Sequence, residues 1–384
     1  MKIVIAIDSF KGSLSSIEAA NAIKKGIENS KLDAHIEIKP LADGGEGTVD
    51  ALVDGMNGRR KVVKVCGPAT KLVEATYGIL DDNKTAIMEI AQAAGITQVS
   101  GEEKNPLKTT TYGVGQIIKA AIDEGCRNFI MGIGGSATND AGVGMLQALG
   151  FKFYDENNSL VNLGGKVLNQ IKRIDDSGKL KELDECNFKI ACDVNNPLFG
   201  LNGAAHIYGP QKGATPEIVD ELDKGLKNFA EIVKRDLNKD LANTPGAGAA
   251  GGLGYGFLTF LNSKLESGIK IILDEIKLEE SVKDADIVVT GEGRLDNQTA
   301  MGKAPIGVAK LAKKYGAKVI AIAGCTTDDA ITCNEEGIDA FFSIVNTAIT
   351  LKEAMDHKNA ENNIINTSTQ IFNLVKILSK NEIL

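Results

Sequence analysis

The stretch KIVIAIDSFKGSLSSIEAANAIKKGIE, residues 2–28, joins an apolar run rich in branched side chains to a segment with helical spacing. Such a run predicts a buried strand over residues 2–7. Ser15 and Ser16 are typical helix-capping residues, and they precede a helix predicted over residues 17–28. Residues 35–65 repeat the order of strand, helix and strand. This alternation predicts an α/β fold in which helices cover a parallel sheet.

The last third of the chain returns to this alternation, whereas the middle has a different pattern. Residues 285–345 again contain apolar strand-like runs with a helical segment between them. Residues 72–90 instead predict an antiparallel pair of strands around a polar turn. We therefore predict a discontinuous first domain, residues 1–65 plus 283–384, and an inserted second α/β domain, residues 66–282. An insertion of this kind creates a cleft between two lobes, where ligand sites commonly lie.

The composition indicates a globular protein that binds a small ligand. Hydrophobic residues make up 43% of the 384 residues and charged residues 24%, enough for real cores and a polar surface. The 42 glycines are clustered, which favours backbone loops shaped around a ligand. A net charge of −8 without a basic stripe argues against broad binding of nucleic acid.

The cysteines and the apolar runs bear on compartment. The six cysteines are widely spaced without a C-x-x-C pair, which favours reduced thiols over zinc or disulfides. No apolar run approaches 18 residues, so no membrane span is predicted. The N-terminal run also lacks the charged segment of a secretory signal. We expect a cytoplasmic protein without a membrane partner.

Two polar loops follow the first two predicted strands. Residues 8–15 offer Asp8 and Lys11 ahead of a helix N-terminus, where a lysine can meet a phosphate or a carboxylate. Residues 42–48 offer Asp43 and Glu46, which could hold Mg²⁺ or accept a hydroxyl proton. A solvated capping loop and a simple turn are the structural alternatives. Because ligands gather at the carboxyl ends of parallel strands, we favour the functional interpretation.

The segment GIGGSATNDAG, residues 132–142, lies between an apolar strand-like run and a helix-like segment. It contains more donors and acceptors than a turn needs, and we interpret it as a phosphate-binding loop. Its match to G-x-G-x-x-A is a weak dinucleotide fingerprint, and no Walker-type P-loop occurs in the chain. The predicted ligand-binding residues of this loop are Gly134, Gly135, Ser136, Thr138 and Asn139, with Asp140 directed to a metal and its waters.

Two further loops carry acidic and basic residues directly after apolar strands. Asp193, in the segment ACDVNNPLFG at residues 191–200, comes just past an apolar strand-like run, and Lys212 lies a short distance beyond it. Glu292, Arg294 and Asp296 alternate after the strand-like residues 286–289. Residues two apart in an extended segment point the same way, so the two acids could face one metal, while Arg294 could pair with a carboxylate. A surface salt-bridge cluster is the alternative.

The chain has only three histidines, which leaves little for Ser-His-Asp hydrolysis or a histidine-based zinc site. Acids, lysines, glycines and hydroxyls remain, and these are the groups that Mg²⁺-assisted phosphoryl transfer uses. That reaction needs positioning and charge neutralisation more than a protein nucleophile.

Six motifs occur along the chain in the order IAIDSFKGSLS, LADGGEGT, GIGGSATNDAG, CDVNNPLFG, GPQKGA and TGEGRLDNQTAMGKAP. Together they resemble the first type of bacterial glycerate kinases, the glycerate 2-kinases, from residue 3 to about residue 345. The resemblance implies ATP-dependent phosphorylation of D-glycerate with Mg²⁺, giving 2-phosphoglycerate. It also implies a Rossmann-like α/β domain with a second α/β domain inserted and an active site between them. Oligomeric state stays open, as does tolerance for other hydroxy acids.

We assign roles within this interpretation by residue chemistry. Lys11 and Arg294 are predicted to hold the glycerate carboxylate or the transferring phosphoryl group. Asp43 or Asp193 is predicted to accept the hydroxyl proton, and Glu292 or Asp296 to coordinate Mg²⁺. The alternatives are a non-catalytic binder of an organic acid or nucleotide, and a nicotinamide-dependent hydroxy-acid dehydrogenase.

Overall fold

The structure, a computed structural model, describes residues 1–45 and 47–380 and has a mixed α/β architecture. It divides into two compact units. Unit 1 comprises residues 1–43, 50–57 and 269–384, and unit 2 comprises residues 44–49 and 58–268. The predicted α/β class is confirmed, because each unit contains parallel strands connected by helices.

The strands, in chain order, are β1 (Lys2–Ile5), β2 (His35–Ile38), β3 (Arg59–Cys66), β4 (Leu72–Ile79), β5 (Thr85–Glu89), β6 (Asn128–Gly132), β7 (Lys152–Tyr154), β8 (Arg173–Asp175), β9 (Asn187–Ala191), β10 (Ser263–Glu266), β11 (Ile287–Leu295), β12 (Lys318–Thr326) and β13 (Ala340–Ser343).

The α-helices are α1 (Ser16–Ser30), α2 (Thr48–Gly55), α3 (Ala91–Ala94), α4 (Tyr112–Asp123), α5 (Val143–Ala148), α6 (Ala204–Tyr208), α7 (Pro216–Leu237), α8 (Ala249–Phe260), α9 (Gly268–Glu275), α10 (Leu278–Val282), α11 (Asn297–Ala300), α12 (Ala304–Lys313), α13 (Thr332–Glu335), α14 (Leu351–Met355) and α15 (His357–Lys380). Short 3₁₀ helices span Ile96–Gln98, Gly101–Glu103, Gly165–Asn169, Lys181–Glu185, Pro210–Lys212 and Asp328–Ile331. Across the described residues, none of these helices combines the length and apolarity needed to cross a bilayer.

Unit 1 is built on a five-stranded sheet in the order β13-β12-β11-β1-β2, in which every neighbouring pair is parallel. The central pair aligns Ile3 of β1 with Ile287 of β11. Branched apolar side chains of these strands form a core with the inner faces of α1 and α15, including Ile23 and Phe372. A full capping box at Ser15 and Glu18 starts α1 where the sequence predicts a helix.

Unit 2 contains a six-stranded mixed sheet in the order β10-β9-β6-β5-β4-β3. The predicted antiparallel pair is present as β4 and β5, and parallel pairing continues from β5 to β10. Its core is rich in aromatic side chains, and the rings of Phe129 and Phe188 stack with centroids 4.6 Å apart. Burial of such large rings contributes much of the hydrophobic stabilisation of a domain.

The division of the chain differs from the sequence boundaries in two segments. Residues 58–65, which the sequence assigns to the first domain, form most of β3, and β3 pairs with β4 over eight residues within unit 2. Residues 269–282, which the sequence assigns to the inserted domain, belong to unit 1. A strand joins the sheet that satisfies its backbone hydrogen bonds, and that pairing is not encoded by the alternation of apolar residues alone.

Candidate active site

The loop after β1 is fixed by backbone contacts to the end of β11. The amide of Asp8 donates to the carbonyl oxygen of Gly291 at 2.9 Å, which places Asp8 beside the strand that carries Glu292. Asp8 is buried, and its Oδ1 accepts from the amide of Ser9 at 2.7 Å. Its Oδ2 has no hydrogen-bond partner among the described residues. A buried carboxylate therefore lies just beyond the carboxyl end of β1, in the region where α/β proteins bind ligands.

Lys11 and Asp43 come together as the sequence predicts for neighbouring strand ends. The ammonium of Lys11 lies 3.3 Å from Oδ2 of Asp43, and the side chain of Lys11 is 62% exposed. An ion pair this exposed contributes little to stability, so the lysine can exchange this partner for a ligand anion. Glu46, the other carboxylate predicted in this region, lies outside the described residues.

The second part of the site is the end of β11 and the start of α11. Oγ1 of Thr299 donates to Oε1 of Glu292 at 2.6 Å. The carboxylate of Asp296 caps α11 by accepting from the amides of Gln298 and Thr299 at 3.0 and 3.2 Å. Nε of Arg294 lies 3.5 Å from the other oxygen of Asp296. Asp296 is therefore partly committed to the helix N-terminus, whereas Glu292 keeps one oxygen for other contacts.

These residues line one cavity of about 700 Å³ within unit 1. Three cationic side chains face it, and four carboxylates share the same walls. Most of the remaining lining is apolar and comes from Phe10 and from apolar side chains between residues 344 and 360. Ser9, Ser13, Gly293, Gly324 and Cys325 complete it. The charged residues that line the cavity are Asp8, Lys11, Asp43, Glu292, Arg294, Asp296 and Lys303.

Burial and like charges perturb the acids of this cavity. Burial, together with the negative charge of Asp43, raises the pKa of Asp8 to about 7. Burial also raises the pKa of Glu292, although the Thr299 hydroxyl bonded to it acts in the opposite direction. Burial disfavours the charged form of Lys11, but the carboxylates of Asp43 and Asp8 outweigh it and raise the pKa of Lys11. The charged forms of Asp8 and Glu292 are thus disfavoured in this cavity, and a bound cation would stabilise them.

The oxygen-rich walls match the ligand chemistry of Mg²⁺, which keeps several waters and binds one or two carboxylates together with substrate phosphates. Within residues 1–45 and 47–380, no three His, Cys, Asp or Glu side chains are grouped as a ready-made metal site. Glu292 and Asp296 therefore fit a metal that is shared with a phosphate, and not an all-protein cage.

The polar loop of unit 2, residues 133–142, presents its backbone and buries its side chains. Gly134 and Gly135 are exposed, whereas the side chains of Ser136, Thr138 and Asn139 are buried. Gly135 has φ +68°, a left-handed conformation that favours glycine. A Cβ at Gly134 would meet no atom of the described residues within 4 Å.

Asp140 is a structural residue, which corrects its predicted role at a metal. Its Oδ2 accepts from the amide and hydroxyl of Thr111 at 2.8 and 2.9 Å and from the amide of Gly144 at 3.3 Å. Its Oδ1 accepts from the amide of Gly142 at 3.2 Å. The side chain is 1% exposed. Both oxygens are therefore used inside the protein, where they join the start of α4 to the start of α5.

Lys212 supports the same loop, and the sequence gives no role for it. Its ammonium donates to Oγ of Ser136 at 2.8 Å and to the carbonyl oxygen of Thr138 at 2.6 Å. The glycine-rich residues 246–251, which lead into and begin α8, also pack on this loop. A Cβ at Gly251 would lie 2.0 Å from the carbonyl oxygen of Thr138. The pattern G-x-G-x-x-G at residues 246–251 thus serves close backbone packing.

Asp193 is the other carboxylate that the sequence predicts as a proton acceptor. It lies in unit 2, beyond the end of β9, where its side chain is exposed and accepts from the amide of Gly268 at 3.2 Å. The sequence offers Asp8 and Lys212 as candidates without a defined role, and it does not single out Lys303 or the apolar side chains among residues 344–360. Asp8 lies in the motif IAIDSFKGSLS, whereas residues 344–360 carry no motif.

Comparison with known proteins shows the class to which this α/β chain belongs. The glycerate kinase family model matches residues 3–376. The chain is 51% identical over 353 residues to the glycerate kinase of Halalkalibacterium halodurans, covering 92% of this chain and 93% of that one. It is 48% identical to the glycerate 2-kinase of Escherichia coli K12, with 97% of each chain covered. A crystal structure assigned as glycerate kinase 2 from Salmonella typhimurium LT2 has a TM-score of 0.92 and 45% identity, covering 99% of this chain and all of that one.

The chain therefore belongs to the glycerate kinase family and is an enzyme of that family. The resemblance of the six motifs is confirmed, and it extends over a longer part of the chain than the motifs themselves.

Proposed function

We propose that this enzyme transfers the terminal phosphoryl group of ATP to the 2-hydroxyl of D-glycerate, with Mg²⁺ as cofactor. The observation that carries the proposal is the charged part of the unit 1 cavity, where Lys11, Arg294 and Lys303 line the same space as four carboxylates, of which Asp8 is buried. Phosphoryl transfer is accelerated chiefly by positioning and by neutralisation of charge on the phosphoryl oxygens. The set of side chains in this cavity supplies both.

Lys11 and Arg294 hold the carboxylate of glycerate or the phosphoryl group. Both side chains are 62% exposed toward solvent, and their present ion-pair partners lie at 3.3 and 3.5 Å. Such loose pairs are replaced by a ligand at little cost. A bound carboxylate also fixes the adjacent carbon, which carries the 2-hydroxyl, and the E. coli relative is named a glycerate 2-kinase.

Asp8 accepts the proton of that hydroxyl. Among the described residues, Oδ2 of its buried carboxylate has no hydrogen-bond partner, and Asp8 lines the cavity with Lys11 and Arg294. A carboxylate with a pKa of about 7 is close to the value at which a general base works best. Of the two acceptors predicted from the sequence, Asp43 shares this cavity and orients Lys11, while Asp193 lies in unit 2. We therefore give the base role to Asp8.

Glu292 and Asp296 hold Mg²⁺. Among the described residues, the second oxygen of Glu292 has no hydrogen-bond partner, and the second oxygen of Asp296 has only the loose pair with Arg294 at 3.5 Å. When bound, the ion neutralises charge on the phosphate oxygens. The exposed backbone at Gly134 and Gly135 in unit 2 binds a nucleotide phosphate, and Ser136, Thr138 and Asn139 shape that loop from inside.

A coupled assay for ADP with D-glycerate, ATP and Mg²⁺ tests the activity, and phosphorus NMR of the product identifies the phosphorylated oxygen. We expect ADP to form only with glycerate present, and 2-phospho-D-glycerate to be the product. No ADP above a blank without glycerate, with the protein folded, contradicts the kinase activity and leaves a non-catalytic binder. A change of absorbance that needs NAD(P) and no ATP would instead indicate a dehydrogenase. The proposal includes a cytoplasmic location, where ATP is available.

A further inference from the structure

The unit 1 cavity has an apolar part that glycerate cannot use. Its wall comes from Ile344, Val345, Ile349, Leu351 and Met355, together with Phe10 of the loop after β1. We call the side chains of Ile344, Val345, Ile349, Leu351 and Met355 the apolar wall. Glycerate is a three-carbon acid whose carbons all bear oxygen, so it has no surface to match these side chains.

The size of the cavity also exceeds what glycerate needs. Cavities of roughly 300–1,000 Å³ accommodate ligands the size of a drug or a nucleotide. The cavity of about 700 Å³ lies well inside this range. A three-carbon acid bound at Lys11 and Arg294 therefore leaves most of the space to a second, larger ligand.

The apolar wall leaves large side chains in contact with water. Leu351 is 76% exposed, Met355 39% and Ile349 37%. The short helix α14, which carries Leu351 and Met355, has no buried residue and is held by a capping box in which Thr350 and Glu353 bond to each other. Apolar side chains that are kept ordered but unburied at the rim of a cavity are typical of a binding surface.

The apolar wall and the cationic loop are in direct contact. A Cβ at Gly12 would lie 2.9 Å from the terminal methyl of Met355, so the methionine packs against the backbone next to Lys11. At the other end of the wall, the amide of Ile344 donates to the carbonyl oxygen of Ala323 at 2.9 Å, which ties it to β12. A ligand that fills this cavity would meet an apolar surface and cationic side chains in succession.

We propose that the apolar wall binds the nucleoside part of ATP, with the phosphates directed to Lys11, Arg294 and Lys303. This inference rests on the proposed ATP-dependent activity and names the part of the cavity that recognises the nucleotide. A flat aromatic base gains free energy by covering aliphatic side chains, and the thioether of Met355 makes favourable contacts with aromatic rings. The triphosphate supplies the negative charge that the three cations match.

Calorimetric titration of the full-length protein with ADP tests this assignment in the variants Leu351→Ser and Met355→Ser. We expect each to raise the Kd of ADP about tenfold, because a contact to the base is lost. Leu72→Ser is the matched control, since Leu72 in β4 of unit 2 is also 76% exposed. The KM for glycerate should stay within about twofold in all three variants.

Tripolyphosphate as a second probe separates the nucleoside from the phosphates. Leu351→Ser should leave the affinity for tripolyphosphate unchanged, whereas Lys11→Met should weaken the binding of both tripolyphosphate and ADP. An unchanged Kd of ADP in both wall variants, or an equal rise in Leu72→Ser, overturns the inference. The protein could bind ADP in a way that the wall variants weaken and yet not turn over glycerate. This outcome would contradict the proposed activity and support the nucleoside site. A wild-type protein that binds neither ADP nor ATP would contradict both.

Discussion

The ammonium of Lys212 donates a 2.6 Å hydrogen bond to the carbonyl oxygen of Thr138, which lies 74 positions earlier in the chain. Lys212 is 1% exposed and has no ion-pair partner among the described residues. Burial of an ammonium without a counterion costs free energy. We infer that this cost is tolerated because Lys212 fixes the conformation of the loop at residues 133–142. The two exposed glycines of that loop depend on it indirectly, through Ser136 and Thr138.

Burial lowers the pKa of Lys212 to about 7, against an opposing effect of Asp140, and this gives a prediction for stability against pH. The unfolded chain binds a proton at this lysine up to its ordinary pKa of about 10.4, whereas the folded protein releases it above about 7. Between these values the unfolded state holds more protons, so wild-type stability should rise with pH relative to Lys212→Met. Urea unfolding of both proteins at pH 7 and pH 10 measures this difference. A constant difference would show that the lysine titrates normally.

Replacement of Asp140 should damage the fold and leave the metal dependence intact. In Asp140→Ala, the buried amides of Thr111, Gly142 and Gly144 lose their acceptor, and we expect a loss of on the order of 3 kcal/mol in the free energy of unfolding. Asp140→Asn should also destabilise the protein, because the NH₂ group of the new side chain would face the N–H and O–H donors that now bind the carboxylate. The concentration of Mg²⁺ for half-maximal activity, measured on the folded fraction, should equal the wild-type value. A several-fold rise in that concentration would restore a metal role for Asp140.

Gly135→Val tests the phosphate loop of unit 2. The substitution forces a branched residue into a left-handed conformation and covers the exposed amides, so the KM for ATP should rise while that for glycerate stays constant. Gly316→Val is the matched control, since Gly316 has φ +79° and a Cβ there meets nothing within 4 Å. If the two variants raise the KM for ATP equally, the effect comes from backbone strain and not from the loss of a phosphate contact. Initial rates at varied ATP and glycerate make the comparison.

Asp8→Asn should lower kcat by a factor of about 10²–10⁴ and leave the KM for glycerate within about threefold, because an amide cannot accept the hydroxyl proton. Asp43→Asn is the control from the same cavity. Its loss frees Lys11 from a partner at 3.3 Å and should change the KM for glycerate more than kcat. Steady-state kinetics of the two variants at saturating ATP separate these effects. An Asp8→Asn enzyme with more than a tenth of the wild-type kcat would exclude Asp8 as the base.

The sequence predicts local features of this chain better than distant pairings. Apolar alternation and the capping serines predict β1, α1 and the antiparallel pair β4 and β5, since these depend on neighbouring residues. β3 pairs with β4, and the apolar pattern does not show which strand will be its partner. The domain boundary predicted at residue 65 therefore separates most of β3 from the sheet to which it belongs. Pattern alone also does not separate an acid that binds a ligand from one that caps a helix or bridges buried amides. Asp140 and Asp296 illustrate this.

The charged side of the cavity was predictable because its residues follow strands whose carboxyl ends meet at one edge of a sheet. Lys11, Asp43, Glu292 and Arg294 were identified in this way and line one cavity. The apolar wall was not predictable. Its side chains are ordinary apolar residues of a short helix and loop, and only their exposure beside Lys11 distinguishes them.

The central pairing of the unit 1 sheet has a consequence for synthesis of the protein. Lys2 of β1 is hydrogen-bonded to Asp286, which the ribosome adds 284 residues later. At about 5–20 residues per second, this takes roughly 15 to 60 s. The strands of the unit 2 sheet all lie within residues 58–268, so that sheet can assemble while the apolar strand KIVIAI still waits for β11. A nascent chain of this enzyme thus carries β1 with one edge unpaired, the edge that later pairs with β11, and its yield in the cell should depend on chaperones that bind such strands.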